Sequence, residues 1–467
     1  MAGDRVGELE ALVSRLLERV EGLEGQLAER DGAIAERDAR IVELEGLLGD
    51  SRRAGKRQAA PFSKGDPEPD PKRPGRRRGE HHGRHGHRMA PTGDPDRILD
   101  ARLPGCCPDC GGGIDLERVA DQWQCDLPDL AAVVTRFRVQ VGRCRGCRRR
   151  VQGRHREQTS DALGAAGSQV GPRAKAWAAW LHYGLGLSFA KTRQVLERLG
   201  VRVTAGALST AAQSTGTALI PVQADLVAHL NDSDVVVMDE TGWRVNGQSA
   251  WLWIATTPQV TVYDVADGRG FDQASGLVAA DYSGVLVRDG WAPYRRYTNA
   301  THQTCLAHLL RRCHHLTTDL PVWARHTPRQ VADILHTALD ARDADEAERA
   351  DIAVDLAERV ELLAQAAHPH DECRRLVNHL TVEADALFAF LTHPGVDATN
   401  WRAEQGIRPA VVNRKVWGGN RTWRGAANQS RIMSVLRTAH QQSIDAIDYL
   451  AALARAPTPD TIPALIT

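Results

Sequence analysis

The sequence predicts an α/β protein in which a strand-forming catalytic segment is interrupted by an all-helical insertion and preceded by smaller N-terminal modules. Three observations carry that reading. Valine-rich runs end in acids, Val235–Met238 before Asp239 and Val285–Val287 before Asp289, which is the pattern of buried strands. A block from about residue 315 to 395 is dominated by Ala, Leu, Glu and Arg and reads as helix throughout. The first 150 residues contain a heptad repeat and two Cys-x-x-Cys pairs, so they fold separately from the sheet.

At the N-terminus, Val6, Val13, Val20, Leu27, Ile34, Ile41 and Leu48 recur every seven residues, and Leu9, Leu16, Leu23 and Leu44 fill most of the offset positions. β-Branched or leucine residues at a, with mostly leucine at d, predict a coiled coil over residues 1–50 and therefore a homo-oligomer. Arg30 and Arg37 interrupt the d positions, at a cost in stability but with a means of fixing register. Residues 51–104 are rich in Pro, Gly and Arg without apolar periodicity and read as a flexible linker. Between Ser51 and Arg88 there are 12 Lys/Arg against 4 Asp/Glu, so a chain of zero formal net charge still carries a basic arm able to attract phosphates. The balancing acids are concentrated elsewhere, with 9 against 3 arginines between Asp340 and Glu361.

The pairs Cys107/Cys110 and Cys144/Cys147 have zinc-ribbon spacing over residues 105–156, with each pair delivering two thiolates to one structural Zn²⁺. Alternation across Val133–Val141 predicts the ribbon's strand. An odd total of nine cysteines argues for metal ligands and free thiols over a disulfide framework. Residues 165–220 suggest a helix-turn-helix. Ser188 caps a helix Phe189–Leu199, Gly200 ends it, and Thr204 caps a second helix running to about Gln213.

The catalytic segment spans residues 230–467. Val235–Met238, Ala250–Ala255 and Val260–Val265 read as antiparallel strands separated by turns at Asn246-Gly247 and Thr257-Pro258. A helical stretch near Phe271–Ala280 leads to the strand Val285–Val287, and a further short strand is expected near Gln303–Leu306. This is the order of a ribonuclease-H-like sheet, in which the first and fourth strands are neighbours, so Asp239 and Asp289 should meet in space. Glu404 returns after the insertion on a helix that can lean across both. Three carboxylates so placed suit a two-metal site, in which hard cations clamp the attacking and leaving oxygens of an in-line displacement.

At this point the residues resemble a known family, the DDE transposases of the insertion-sequence-66 group. The most specific stretch is Asn400-Trp-Arg-Ala-Glu404-Gln-Gly-Ile-Arg408-Pro409, continuing through Arg414-Lys415 to Gly418-Gly419. Asp239-Glu-Thr and Asp289-Gly-Trp match the blocks of the first two acids, and Gln405 departs from the arginine usual there. The resemblance implies that Asp239, Asp289 and Glu404 hold two Mg²⁺ or Mn²⁺ ions, and that Cys305-Leu-Ala-His308 is the Cys-x-x-His element found after the second acid. It also implies accessory proteins encoded by the same element. His308, Arg414, Lys415 and Arg421 are candidate DNA contacts.

The expected activity is hydrolysis at terminal inverted repeats, then joining of the freed 3′-OH to target DNA. The rival readings are a non-catalytic DNA-binding regulator, which needs no ordered set of acids, and a structure-specific nuclease, which has little use for a coiled coil. No apolar stretch of membrane-spanning length and no signal-peptide core is visible, so a cytoplasmic, nucleoid-associated protein is expected.

Overall fold

The computed structural model describes residues 91–128, 130–163, 169–456 and 464–466, together with residue 19. The heptads and most of the basic linker, residues 51–90, therefore lie outside the described residues. The chain divides into two compact units, Met1–Cys125 and Asp126–Thr467. Residues 91–125 of the first unit contain no helix or strand, and a tight turn forms at Cys107–Gly112, in which the Gly111 N–H donates to the Cys107 carbonyl at 2.8 Å.

The second unit opens with a small hairpin, β1 (Val141–Arg143) antiparallel to β2 (Arg150–Gln152). The strand expected over Val133–Val141 is therefore confined to its last residue. Val133 and Val134 are more than nine-tenths exposed and have no partner strand, and without one alternation alone forms no ladder. Four helices follow: α1 (Pro172–Ala179), α2 (Phe189–Arg198), α3 (Ala205–Ala218) and α4 (Ile220–Asn231). The side chains of Ser188 and Thr204 cap α2 and α3 as their positions suggested, accepting from Lys191 N and Ala207 N. The α3 helix runs one turn beyond Gln213, because Ser-Thr-Gly-Thr-Ala contains no stop and Ala212 and Gly216 are buried.

The sheet comprises β3 (Val235–Val245), β4 (Gln248–Thr256), β5 (Thr261–Ala266), β6 (Val285–Arg288) and β7 (Thr301–Thr304), in the order β5-β4-β3-β6-β7. The β3–β4–β5 meander is antiparallel, while β6 and β7 run parallel to β3. Asn246 and Gly247, at φ 52° and 76°, form the tight turn expected between β3 and β4. Only Phe271–Ala274 of the expected crossover helix is helical (α5), and the rest of that stretch is turns packed through Leu277 and Val278.

Leu306 opens the helical insertion directly from the end of β7. It comprises α6 (Leu306–Asp319), α7 (His326–Asp340), α8 (Glu346–Gln365), α9 (Asp371–Val382) and the short α10 (Ala389–Thr392). These helices have their own core, including Leu309, Val331, Leu335, Leu356, Val360 and Leu376. The chain then returns to the sheet as α11 (Trp401–Trp417), α12 (Trp423–Gln441) and α13 (Ala446–Leu453). The α12 helix covers the edge strand β5. Ser434 Oγ accepts from Tyr263 N at 2.9 Å and Thr438 Oγ1 from Thr261 N at 3.1 Å, so hydroxyls satisfy an edge that would otherwise be open. No described helix is long and apolar enough to cross a membrane.

Candidate active site

Register brings the two aspartates together. Val237 of β3 pairs with Val287 of the parallel β6, so Asp239 and Asp289 each lie two residues beyond a paired position and on the same face. Asp239 pairs with Ile254, which in turn pairs with Tyr263, giving one row of side chains on that face. The α11 helix lies across this row. A Cβ on Gly406 would stand 2.4 Å from Ile254 Cδ1, and Tyr263 donates its hydroxyl proton to the Gly406 carbonyl at 2.6 Å. The missing side chain lets the helix approach closely, and it carries Glu404 two residues earlier, near enough for its charge to act on Asp239.

The electrostatics agree with this convergence. Burial, reinforced by the charges of Glu240, Asp289 and Glu404, pushes the Asp239 carboxyl up to about 8, against a smaller opposing effect of the Glu240 N–H. Asp289 Oδ1 accepts from Trp291 N at 2.9 Å. His308 stands beside Glu404, its Nε2 3.6 Å from Glu404 Oε1, while its buried Nδ1 has no partner among the described residues. Asn400, fully buried at the N-terminus of α11, likewise has both amide atoms unpartnered there.

The other candidates are separate from this cluster. Arg414 and Lys415 are in the last turn of α11, about 15 Å along the helix from Glu404 at 1.5 Å per residue. Arg414 lies against Gly242 and is held below its usual range by burial and by Arg244. Arg421 is exposed just beyond the helix. Trp243 is buried in the core, and Trp417 packs edge-on against it and stacks on His182.

Cys107 and Cys110 belong to the first unit, Cys144 and Cys147 to the second. Each pair sits in a tight turn, with Gly111 N–H donating to the Cys107 carbonyl and Arg148 N–H to that of Cys144. Backbone N–H groups within each turn lower the thiols of Cys107 and Cys144, chiefly those of Cys110 and Cys147.

Two residues at the sheet end were not anticipated. Glu240 follows Asp239 and so faces the opposite side of β3, where its buried carboxylate accepts from Tyr294 Oη and from Arg269 Nε, each at 2.5 Å. Arg269 Nη2 is also 3.9 Å from Asp289 Oδ2. The Asp239-Glu-Thr motif contained a signal for Glu240, since a second acid next to a strand-end aspartate must point the other way. Nothing around Arg269 marked it, because its partner is 29 residues away.

The three acids offer only hard oxygen donors, which suits Mg²⁺ or Mn²⁺. Among the described residues, no three His, Cys, Asp or Glu side chains converge closely enough to hold one ion unaided. A two-metal phosphoryl-transfer site does not require that, since water and substrate phosphate oxygens complete each shell. Burial, and after it the neighbouring negative charges, raise Asp239, and a divalent cation would offset both, so the donor set fits.

No curated protein matches the chain. The family model described as Transposase IS66 family matches residues 167–428, which takes in α1 to α4, all five strands of the large sheet, the helical insertion and α11. The match covers more than half of the sequence and includes Asp239, Asp289 and Glu404, and the chain belongs to the IS66 transposase family.

Proposed function

We propose that this transposase cuts the ends of its insertion element by hydrolysis and joins the freed 3′-OH to target DNA by transesterification, with Asp239, Asp289 and Glu404 as its catalytic acids. The observation that carries the reading is the shared face. Register puts both aspartates at one sheet end, and Gly406 lets the helix that carries Glu404 approach until the charge of Glu404 acts on Asp239. Divalent ions held by these carboxylates supply the Lewis acidity and charge neutralisation of two-metal phosphoryl transfer. In the first step a water oxygen bonds to phosphorus, the P–O3′ bond breaks, and the departing 3′-oxygen takes up a proton. In the second, that 3′-oxygen loses its proton, bonds to a target phosphorus and displaces a target 3′-oxygen.

The protein's part is to orient three carboxylates and exclude bulk water from the Asp239 side. Burial of Asp239 and its support by Ile254 and Tyr263 serve the second purpose. In the same reading, His308 orients Glu404, and Arg414, Lys415 and Arg421 follow the DNA backbone. Cys107, Cys110, Cys144 and Cys147 serve structural Zn²⁺, and the heptads make the protein oligomeric. The test is a cleavage and strand-transfer assay with Mg²⁺ and a duplex carrying the inverted repeats that flank the gene. Wild type should nick and join that duplex and Glu404→Gln should do neither. Full joining by the variant would overturn the assignment.

A further inference from the structure

We infer that Arg269 is a phosphate-binding residue of the active site, pre-set by Glu240 to receive the DNA backbone beside Asp289. This deepens the proposed function and rests on it. Among the described residues, Arg269 is the one arginine or lysine with a charged nitrogen within 4 Å of a carboxylate oxygen of the three acids. Its guanidinium is fixed from several sides. Nε donates to Glu240 Oε1 at 2.5 Å and Nη2 stands 2.5 Å from the same oxygen, while the ring of Trp291 stacks 4.0 Å away with that of Trp251 at 4.8 Å. The backbone is fixed too, because Trp291 Nε1 donates to the Arg269 carbonyl at 3.1 Å. Glu240 is held in turn by the fully buried Tyr294.

An arginine so anchored has lost most of its rotamer freedom before any ligand arrives. It still has Nη1 without a hydrogen-bond partner among the described residues, and its side chain remains 29% exposed. An arginine needed only to neutralise Glu240 would gain nothing from exposure or from standing 3.9 Å from Asp289. The local charge points the same way. Asp239, Asp289, Glu404 and Glu240 crowd carboxyl groups at this end of the sheet, and a DNA strand adds further negative charge. A fixed cation on the Asp289 side offsets that repulsion where the backbone must approach.

Arg269→Gln alone leaves Glu240 buried without its charge partner, which endangers folding for reasons unrelated to DNA. The double variant Glu240→Gln/Arg269→Gln removes both charges and keeps the Tyr294 contact. The experiment measures binding of the flanking inverted-repeat duplex across a salt series, with Ca²⁺ replacing Mg²⁺ so that the DNA stays intact. The double variant should bind about tenfold more weakly at low salt, and the slope of log K against log salt should fall by about one phosphate contact. An unchanged slope and affinity, in a variant that melts like wild type, would overturn the inference and leave Arg269 as a partner of Glu240 alone. Glu404→Gln serves as the parallel control. If wild type fails to cut the duplex with Mg²⁺, the proposed function fails, whereas the salt slope still reports on Arg269.

Discussion

Two carboxylate clusters flank the end of β6, and they are built on opposite principles. Arg288 turns into the protein, where it and Arg295 both bind the buried Glu383 at the end of α9. Burial alone would raise the Glu383 carboxyl, but Arg288 and then Arg295 outweigh it and hold the group below its usual range. Asp289, the next residue, faces Asp239 instead, and there burial and like charges combine to push Asp239 up to about 8. One cluster is compensated within the chain and fastens the helical insertion to the sheet. The other is left short of positive charge. A carboxyl kept short of positive charge is costly, which fits the proposed binding of cations and DNA at the Asp239 cluster, whereas the compensated cluster serves the fold.

The largest effect is expected at the proposed catalytic acids. Asp289→Asn should lower cleavage on the order of 10⁴-fold, as expected when one member of a unit that acts together is lost, while the thermal midpoint stays at or above that of wild type. A rate within tenfold of wild type would remove Asp289 from the site. On the structural side the effect should appear as stability. Glu383→Ala strands two arginines, one of them fully buried, and should cost about 3–5 kcal/mol in a urea melt. Combining Glu383→Leu with Arg288→Met should cost less than Glu383→Ala alone, because no charge is left unpaired. Equal losses would show that the triad matters only through packing.

A smaller effect is expected where the two principles meet the backbone. Gly406→Ala pushes a methyl group against Ile254 and should cost about 1–3 kcal/mol by overpacking, with slower cleavage as Glu404 is displaced. Ile254→Val removes the opposing Cδ1 and should restore both stability and rate. Failure of that rescue would mean that close approach of α11 is not what Gly406 provides.

Much of this was legible in the sequence because it depends on local pattern. Valine runs marked β3 and β6, and the strand order they imply is the one observed, with Asp239 and Asp289 on neighbouring strands. The serine and threonine before α2 and α3 marked their starts. What escaped depends on partners distant in sequence. Arg288 reads as the polar end of a strand, and it is buried only because Glu383 comes 95 residues later to meet it. Glu240 lies within the Asp239-Glu-Thr motif, yet its role depends on Arg269 and Tyr294, 29 and 54 residues away. The β3 strand outruns its apolar stretch because pairing with β4 orders Thr241, Gly242 and Arg244, which no hydrophobic pattern announces. Conversely, Val133–Val141 alternates without a partner and forms almost no strand.

The proposed place of Asp239 in a site short of positive charge is tested most directly by the thermal midpoint of wild type and Asp239→Asn with and without Mn²⁺. The sign follows from a folded carboxyl raised to about 8 from the ordinary value of 3.8. The stability this group contributes is complete below its unfolded value and is lost as pH rises through 8. Metal-free wild type should therefore melt progressively lower from pH 6 to pH 8.5, Asp239→Asn should resist that decline, and Mn²⁺ should raise the wild-type midpoint most at the higher pH. A Mn²⁺-induced rise that persists undiminished in Asp239→Asn would remove Asp239 from the cation site.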